Sequence, residues 1–241
     1  MLSALATRNQ KELLRDPLSI VFGLALPIFL LYFVSVLQKS VPADVFKLEN
    51  FAPSIAIFSF SFISLFSGTL LAKDRGSSFL TRLFASPLSS KDYILSYSLP
   101  LLFVALLQSI ICLTAAVLMG LPVTSNLMLT VVMLIPISLL FIGIGLLFGA
   151  LFTDKQVGGI FAVLVQVVAL SSGMWFDLNL FGGAVQAICN ALPFSHAVEV
   201  ARATMAGNLD AIMPHMLWVL GYTLVIFVIA IIVFKRRMKE D

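Results

Sequence analysis

Few residues in this chain have side chains that can do bond chemistry. There are two histidines, His196 and His215, and two cysteines, Cys112 and Cys189. Neither histidine has a metal-ligand partner at short spacing. The cysteines form no CxxC pair, and Cys112 lies in an apolar run, where it reads as a small packing residue. No glycine is followed by lysine, so there is no phosphate-binding loop of the G-x-x-x-x-G-K-[ST] type. Glu199 and Arg202, spaced i, i+3, can pair within one helix, either as a functional charge pair at the membrane edge or as two charges that neutralise each other. An intramembrane enzyme needs a nucleophile–base pair or a metal cluster; neither is visible, so the chain reads as having no enzyme of its own. His196 and His215 are left with hydrogen-bonding roles.

The elements that position these residues follow from composition. Of 241 residues, 60% are hydrophobic and 11% charged, with mean hydropathy +1.07. A water-soluble domain carries about twice that charge, and at this length it could not hide so much apolar surface. The expected fold is all-α, a single polytopic membrane domain over 1–241. Crossing the hydrocarbon takes about 20 apolar residues in a helix. Six stretches without Asp, Glu, Lys, Arg or His qualify: 18–37, 51–72, 93–119, 127–152, 157–176 and 216–234. Continuous apolar runs suit helices rather than the alternating strands of a barrel. The first run is too long for the apolar core of a cleaved leader, so it is expected to stay.

Twelve of the fifteen Lys and Arg residues fall on one side of this arrangement. That imbalance places both termini in the cytoplasm. The net charge of +3 is therefore topogenic and does not call for nucleic acid. Pro27, Pro100 and Pro136 interrupt spans and should kink them. Gly145 and Gly149 form a GxxxG pattern suited to close helix packing, in a region that also holds Gly143, Gly158 and Gly159. Ser54 and Ser61 share a face of the second span. The strongest polar side chains within spans are Gln108 and Gln166, which argues against proton-coupled secondary transport, where ionisable residues sit in the membrane.

Three segments lie outside the spans. Residues 1–16 form an amphipathic interfacial helix, with Leu2, Leu5, Ala6 and Leu13 on one side and Arg8, Lys11 and Arg15 opposite; Asn9 and Asp16 interrupt its apolar side. The loop 73–91 places Phe79, Leu80, Leu83 and Phe84 at helical spacing, with Pro87 as a stop. That face fits either lipid or a groove on a soluble partner. The segment 177–215 contains two short helices at the external surface, with Gly207 as a helix stop.

Two motifs in these segments make the chain resemble the type-2 permease family of ATP-binding-cassette (ABC) exporters over nearly its whole length. Leu80-Thr81-Arg82-Leu83-Phe84-Ala85-Ser86-Pro87 is similar to the family's L-x-R-L-x-x-[ST]-P. Leu192-Pro193, Glu199, Arg202 and Gly207 are similar to its external L-P-x-x-x-x-[VI]-[DE]-x-x-R with a trailing glycine. Asp74-Arg75-Gly76 stands where members often carry Glu-Arg-Gly, but its spacing to Leu80 is longer, so no task passes to Asp74. The resemblance implies that Phe79, Leu80, Arg82, Leu83, Phe84 and Pro87 form a coupling helix that docks on separate ABC ATPase subunits. It implies a second permease, identical or a sister chain, with the substrate path between the two. ATP and Mg²⁺ would bind the ATPase, with no cofactor in this chain. The implied setting is the bacterial plasma membrane. The implied cargo is drugs or other hydrophobic or amphipathic small molecules, ahead of lipid, glycan or peptide.

Overall fold

The computed structural model describes residues 2–15, 21–41, 43–77 and 90–240. The coupling-loop residues Phe79, Leu80, Arg82, Leu83, Phe84 and Pro87 lie outside them. Every regular element among the described residues is helical. Helix α1 covers Leu2–Arg15, and a π-helical turn, Val21–Ala25, leads into α2, Leu26–Leu37. There follow α3 (Leu48–Arg75), α4 (Ser90–Leu118), α5 (Ser125–Leu151) and α6 (Asp154–Ser171). Two short helices, α7 (Gly183–Ala191) and α8 (Pro193–Ala206), precede the long α9 (Leu209–Glu240).

Five of these helices, α3, α4, α5, α6 and α9, are long and apolar enough to cross a membrane, and Val21–Leu37 is a shorter apolar helix. The chain is a polytopic helical membrane protein. Its boundaries differ from the sequence expectation at two places. The last helix begins at Leu209 rather than 216: Asp210, Pro214 and His215, which interrupt the apolar run in sequence, all lie inside the helix. The fifth stretch, expected to reach 176, ends as a helix at Ser171, where the chain bends and Gly173 takes a positive φ of 73°. The two short helices of the 177–215 segment are present as α7 and α8.

Helix α3 is the centre. Of its most apolar window, 89% is buried, against 22% for α6 and for α9. Its most extensive contact is with α5. There Ser64 Oγ donates to Phe141 O at 2.7 Å, and Ser67 Oγ reaches Ile142 O at 3.5 Å. The approach is possible because Gly145 has no side chain: a Cβ there would lie 1.9 Å from Ser67 Oγ and 2.2 Å from Ser64 O. At Gly149 it would lie 2.6 Å from Gly68 O. The GxxxG pattern is thus used, and the partner face on α3 is Ser64, Ser67 and Gly68. Rings of Phe60, Phe141 and Phe194 continue the contact from α3 through α5 to α8, at centroid distances of 6.0 and 5.8 Å.

Prolines act through the carbonyls they free. Pro27 cannot donate to the carbonyl of Gly23, and the π-helical turn lies at that point. It stands near the start of α2 rather than inside it. Pro100 cannot donate to Ser96 O, and the side chain of Asn9 supplies a donor there at 3.4 Å.

Overpacking at the α3–α5 seam should be costly. Gly145→Ala is expected to lower stability by at least about 2 kcal/mol, whereas Gly221→Ala, where an added Cβ meets nothing within 4 Å, should leave it unchanged. Thermal melts of the two variants in detergent, beside the unsubstituted chain, check this.

Candidate functional site

Polar side chains gather at the two ends of the bundle. One end carries α1, the C-termini of α3 and α5 and the last turns of α9. Here Asp74, buried near the end of α3, accepts both Arg8 Nη1 and, at 2.8 Å, Arg8 Nη2. The Tyr97 hydroxyl of α4 donates to the same carboxylate at 2.5 Å. Glu12 also reaches Arg8 Nη2, at 2.7 Å. The hydrogen bond that Arg8 donates to Asp74 raises the Arg8 pKa above its ordinary value, so the guanidinium stays charged. A buried carboxylate is tolerated because three donors on two neighbouring helices satisfy it.

The arrangement corrects the sequence reading of α1. Its Leu5 and Leu13 are buried, and the helix packs on α4. Asn9, an apparent blemish on the apolar side, is fully buried because that side packs against α4, where the carbonyl of Ser96 accepts its amide. Arg8 belongs to the ion pair, while Lys11 and Arg15 are exposed. The neighbouring Arg75 donates to Ala150 O and, at 3.0 Å, to Phe152 O. It thereby caps the C-terminus of α5, where orphan carbonyls and the helix dipole favour a cation. Asp74 and Arg75 thus clamp the end of α3 to α1, α4 and α5, immediately before the loop that carries the L-x-R-L motif.

The other end is organised by Arg202 of α8. Its Nε donates to Ser54 Oγ at 3.0 Å and Asn50 O at 3.3 Å, and its Nη2 to Gly173 O at 3.0 Å. The expected partner, Glu199, lies farther, at 3.8 Å, and is half exposed. The i, i+3 pair therefore exists, but the stronger bonds run to α3 and to the chain leaving α6. Burial lowers the Arg202 pKa, while Glu199 and Asp177 oppose that shift. Pro193 opens α8 at its first position. Gly207 closes it with φ 76° in the left-handed region, and a Cβ there would meet Asn126 Nδ2 at 2.8 Å. Asn126 itself donates to Met205 O at 3.3 Å. The motif residues Pro193, Arg202 and Gly207 are thus parts of one dock that seats α8 against α3 and α5.

Next to Arg202 lies a cavity of about 490 Å³ lined by Asp177, Asn179, Asn190, Glu199, His196 and His215, among others. The two histidines, 19 residues apart, meet Nδ1 to Nδ1 at 2.7 Å. No group of three His, Cys, Asp or Glu side chains that could hold a metal ion occurs among the described residues.

Sequence reasoning missed Asp74, Tyr97, Arg75 and the His196–His215 contact. It also missed the role of Asn9, for which Pro100 held a signal, since the proline orphans Ser96 O and so calls for a donor. The ion pair and the histidine contact join residues 66 and 19 positions apart, and no local pattern points to them.

Asp74→Ala should destabilise the protein by about 2 kcal/mol, below the value for a fully buried pair because the Arg8 side chain is 37% exposed. A double-mutant cycle with Arg8→Ala should return a coupling above about 0.5 kcal/mol, read from detergent unfolding curves. Arg202→Lys offers a single ammonium for acceptors on two segments and should cost about 1–3 kcal/mol, measured in the same way.

No curated relative matches the chain. The family model of the ABC-2 type transporter matches residues 2–206, from the start of α1 to the end of α8. That stretch contains both clamped ends of the bundle, and the chain belongs to the ABC-2 type transporter family as a membrane-spanning permease component.

Proposed function

We propose that this permease moves drugs or other hydrophobic or amphipathic small molecules out of the cell, driven by ATP on separate ABC ATPase subunits. The observation that carries the proposal is the clamp at Asp74 and Arg75. A coupling helix can transmit force only if its root is held to the spans. Asp74 and Arg75 tie that root to α1, α4 and α5. Docking of Phe79, Leu80, Leu83 and Phe84 on an ATPase would then move α3 and α5 together rather than bend a free loop. ATP and Mg²⁺ belong to the ATPase, and ATP shifts the permease between states only through its unequal affinity for them.

A second permease, identical or a sister chain, completes the pathway. Helix α6 supports this reading. Gly158, Gly159, Ala162 and Gln166 are exposed on it, within a helix apolar enough to span. Hydrocarbon would leave the Gln166 amide without a partner, whereas small residues and an amide suit a neighbouring helix. Membrane lipids cover the exposed apolar residues of α9, among them Leu217, Leu224 and Val228. In this reading the clamp end is cytoplasmic, the Arg202 end is external, and the membrane is a bacterial plasma membrane. Export of lipid, glycan or peptide fits the same architecture, and the uncharged spans favour hydrophobic cargo.

Co-expression with the ATPase of the transporter tests the assignment. Phe79→Asp with Leu83→Asp should abolish co-purification of the ATPase and ATP-dependent export, while the permease still reaches the membrane. Retained ATPase and retained export would refute the docking role. Export that survives ATP depletion and stops with an ionophore would make the chain a gradient-driven carrier.

A further inference from the structure

The bundle end that carries Arg202 holds a second construction, independent of the ATPase. His196 lies on α8 and His215 on α9. His196 Nε2 is 2.8 Å from Asn190 O, so that nitrogen carries a proton and donates to the end of α7. The Nδ1 of His196 is then a lone pair, and the His215 Nδ1–H, 2.7 Å away, donates to it. Trp218 of α9 stacks on the His196 ring at 5.1 Å and 5°. Tyr222, one turn on, donates to Ala191 O at 2.7 Å. The C-terminus of α7 is therefore held by two donors, one from α8 and one from α9, and the two histidines join those helices directly.

The proton count of this pair is limited. A first added proton can sit on His215 Nε2 and leave the Nδ1–H to Nδ1 bond in place, now charge-assisted. A second must go to His196 Nδ1. Two N–H groups would then face each other at 2.7 Å, and two adjacent charges would share a half-buried site. We propose that His196 and His215 form a proton-sensitive clasp that ties the α7–α8 hairpin to α9 and opens when the pair takes up its second proton. The groups around it are few. Glu199 on α8 and Asp177 before α7 favour the charged form, and Arg202 on α8 opposes it. Asn190 O from α7 and Trp218 and Tyr222 from α9 carry no charge. Burial holds His196 below the ordinary histidine pKa, and His215 adds to that, against the pull of Asn190 O and Glu199. The lowered value means that the open form binds protons more readily. Clasp stability is full above the ordinary histidine pKa of about 6.5 and is lost as pH falls from there through the lowered value.

The test uses the full chain in lipid nanodiscs. Trp218 and Trp175 are its two tryptophans, so Trp175→Phe isolates Trp218, whose emission responds to protonation of the His196 ring stacked on it and to loss of that stack. From pH 8 to 4, Trp218 emission should change with a midpoint below about 6.5. His215→Gln should move that midpoint upward, and His196→Gln should abolish it. In the chain without the tryptophan substitution, hydrogen exchange over residues 183–192, corrected for its intrinsic pH dependence, should rise by up to about tenfold per pH unit as pH falls from about 6.5 to the midpoint, and level off below it. A Trp218 profile unchanged by His196→Gln overturns the proposal. So does a change in emission with no change in exchange, which would mean that the pair titrates without holding the hairpin.

Discussion

The contact on which the structure depends is the close approach of α3 and α5 at Gly145. Apolar residues gain nothing by leaving lipid for protein, so helices in a membrane associate through close packing and hydrogen bonds. Both occur here. Gly145 and Gly149 let the backbones meet, and Ser64 and Ser67 donate to carbonyls of α5 across the gap. With α3 held on that side, α4, α6, α8 and α2 pack around the remainder, and α3 becomes buried on all faces. Such a helix has no polar stripe, so its central place cannot be read from periodicity.

A second constraint acts at the helix ends. Carbonyls freed at a terminus or by a proline need donors, and water is scarce at these depths. The chain answers with side chains brought from distant segments. Arg75 takes the end of α5, Arg202 takes Gly173 O beyond α6, and Asn9 takes the carbonyl orphaned by Pro100. His196 and Tyr222 together take the end of α7. Each donor also links two elements, so satisfying the backbone and joining the bundle are one event.

These links give the two ends different characters. At the clamp end, the buried Asp74 carboxylate is paired with Arg8, and α3 is tied to three other helices within a few residues. At the Arg202 end, the guanidinium seats α8, but the neighbouring cavity is lined by half-exposed titratable groups. Motion imposed at the first end would pass along α3 and α5 as a rigid pair. At the second end, α7 is held by the hydrogen bonds of His196 and Tyr222, which are neutral and easier to exchange.

The sequence by itself determined the solvent, the helical class and the approximate spans. Apolar runs without charge admit one environment, and that environment admits few backbone solutions. It also read Gly207 as a helix stop, which acts through its own backbone. The helix starting at Leu209 escaped it because Asp210 and His215 end the charge-free run in sequence although the helix continues through them. Only the tertiary structure decided the partners of the charged and polar side chains. Arg202 prefers Ser54 and Gly173 O to its helical neighbour Glu199, and Arg8 joins Asp74 rather than facing water. Asn9 looks like a blemish until the carbonyl of Ser96 is placed beside it. Local spacing describes one helix at a time, whereas these bonds arise where helices distant in sequence are packed close enough to exclude water.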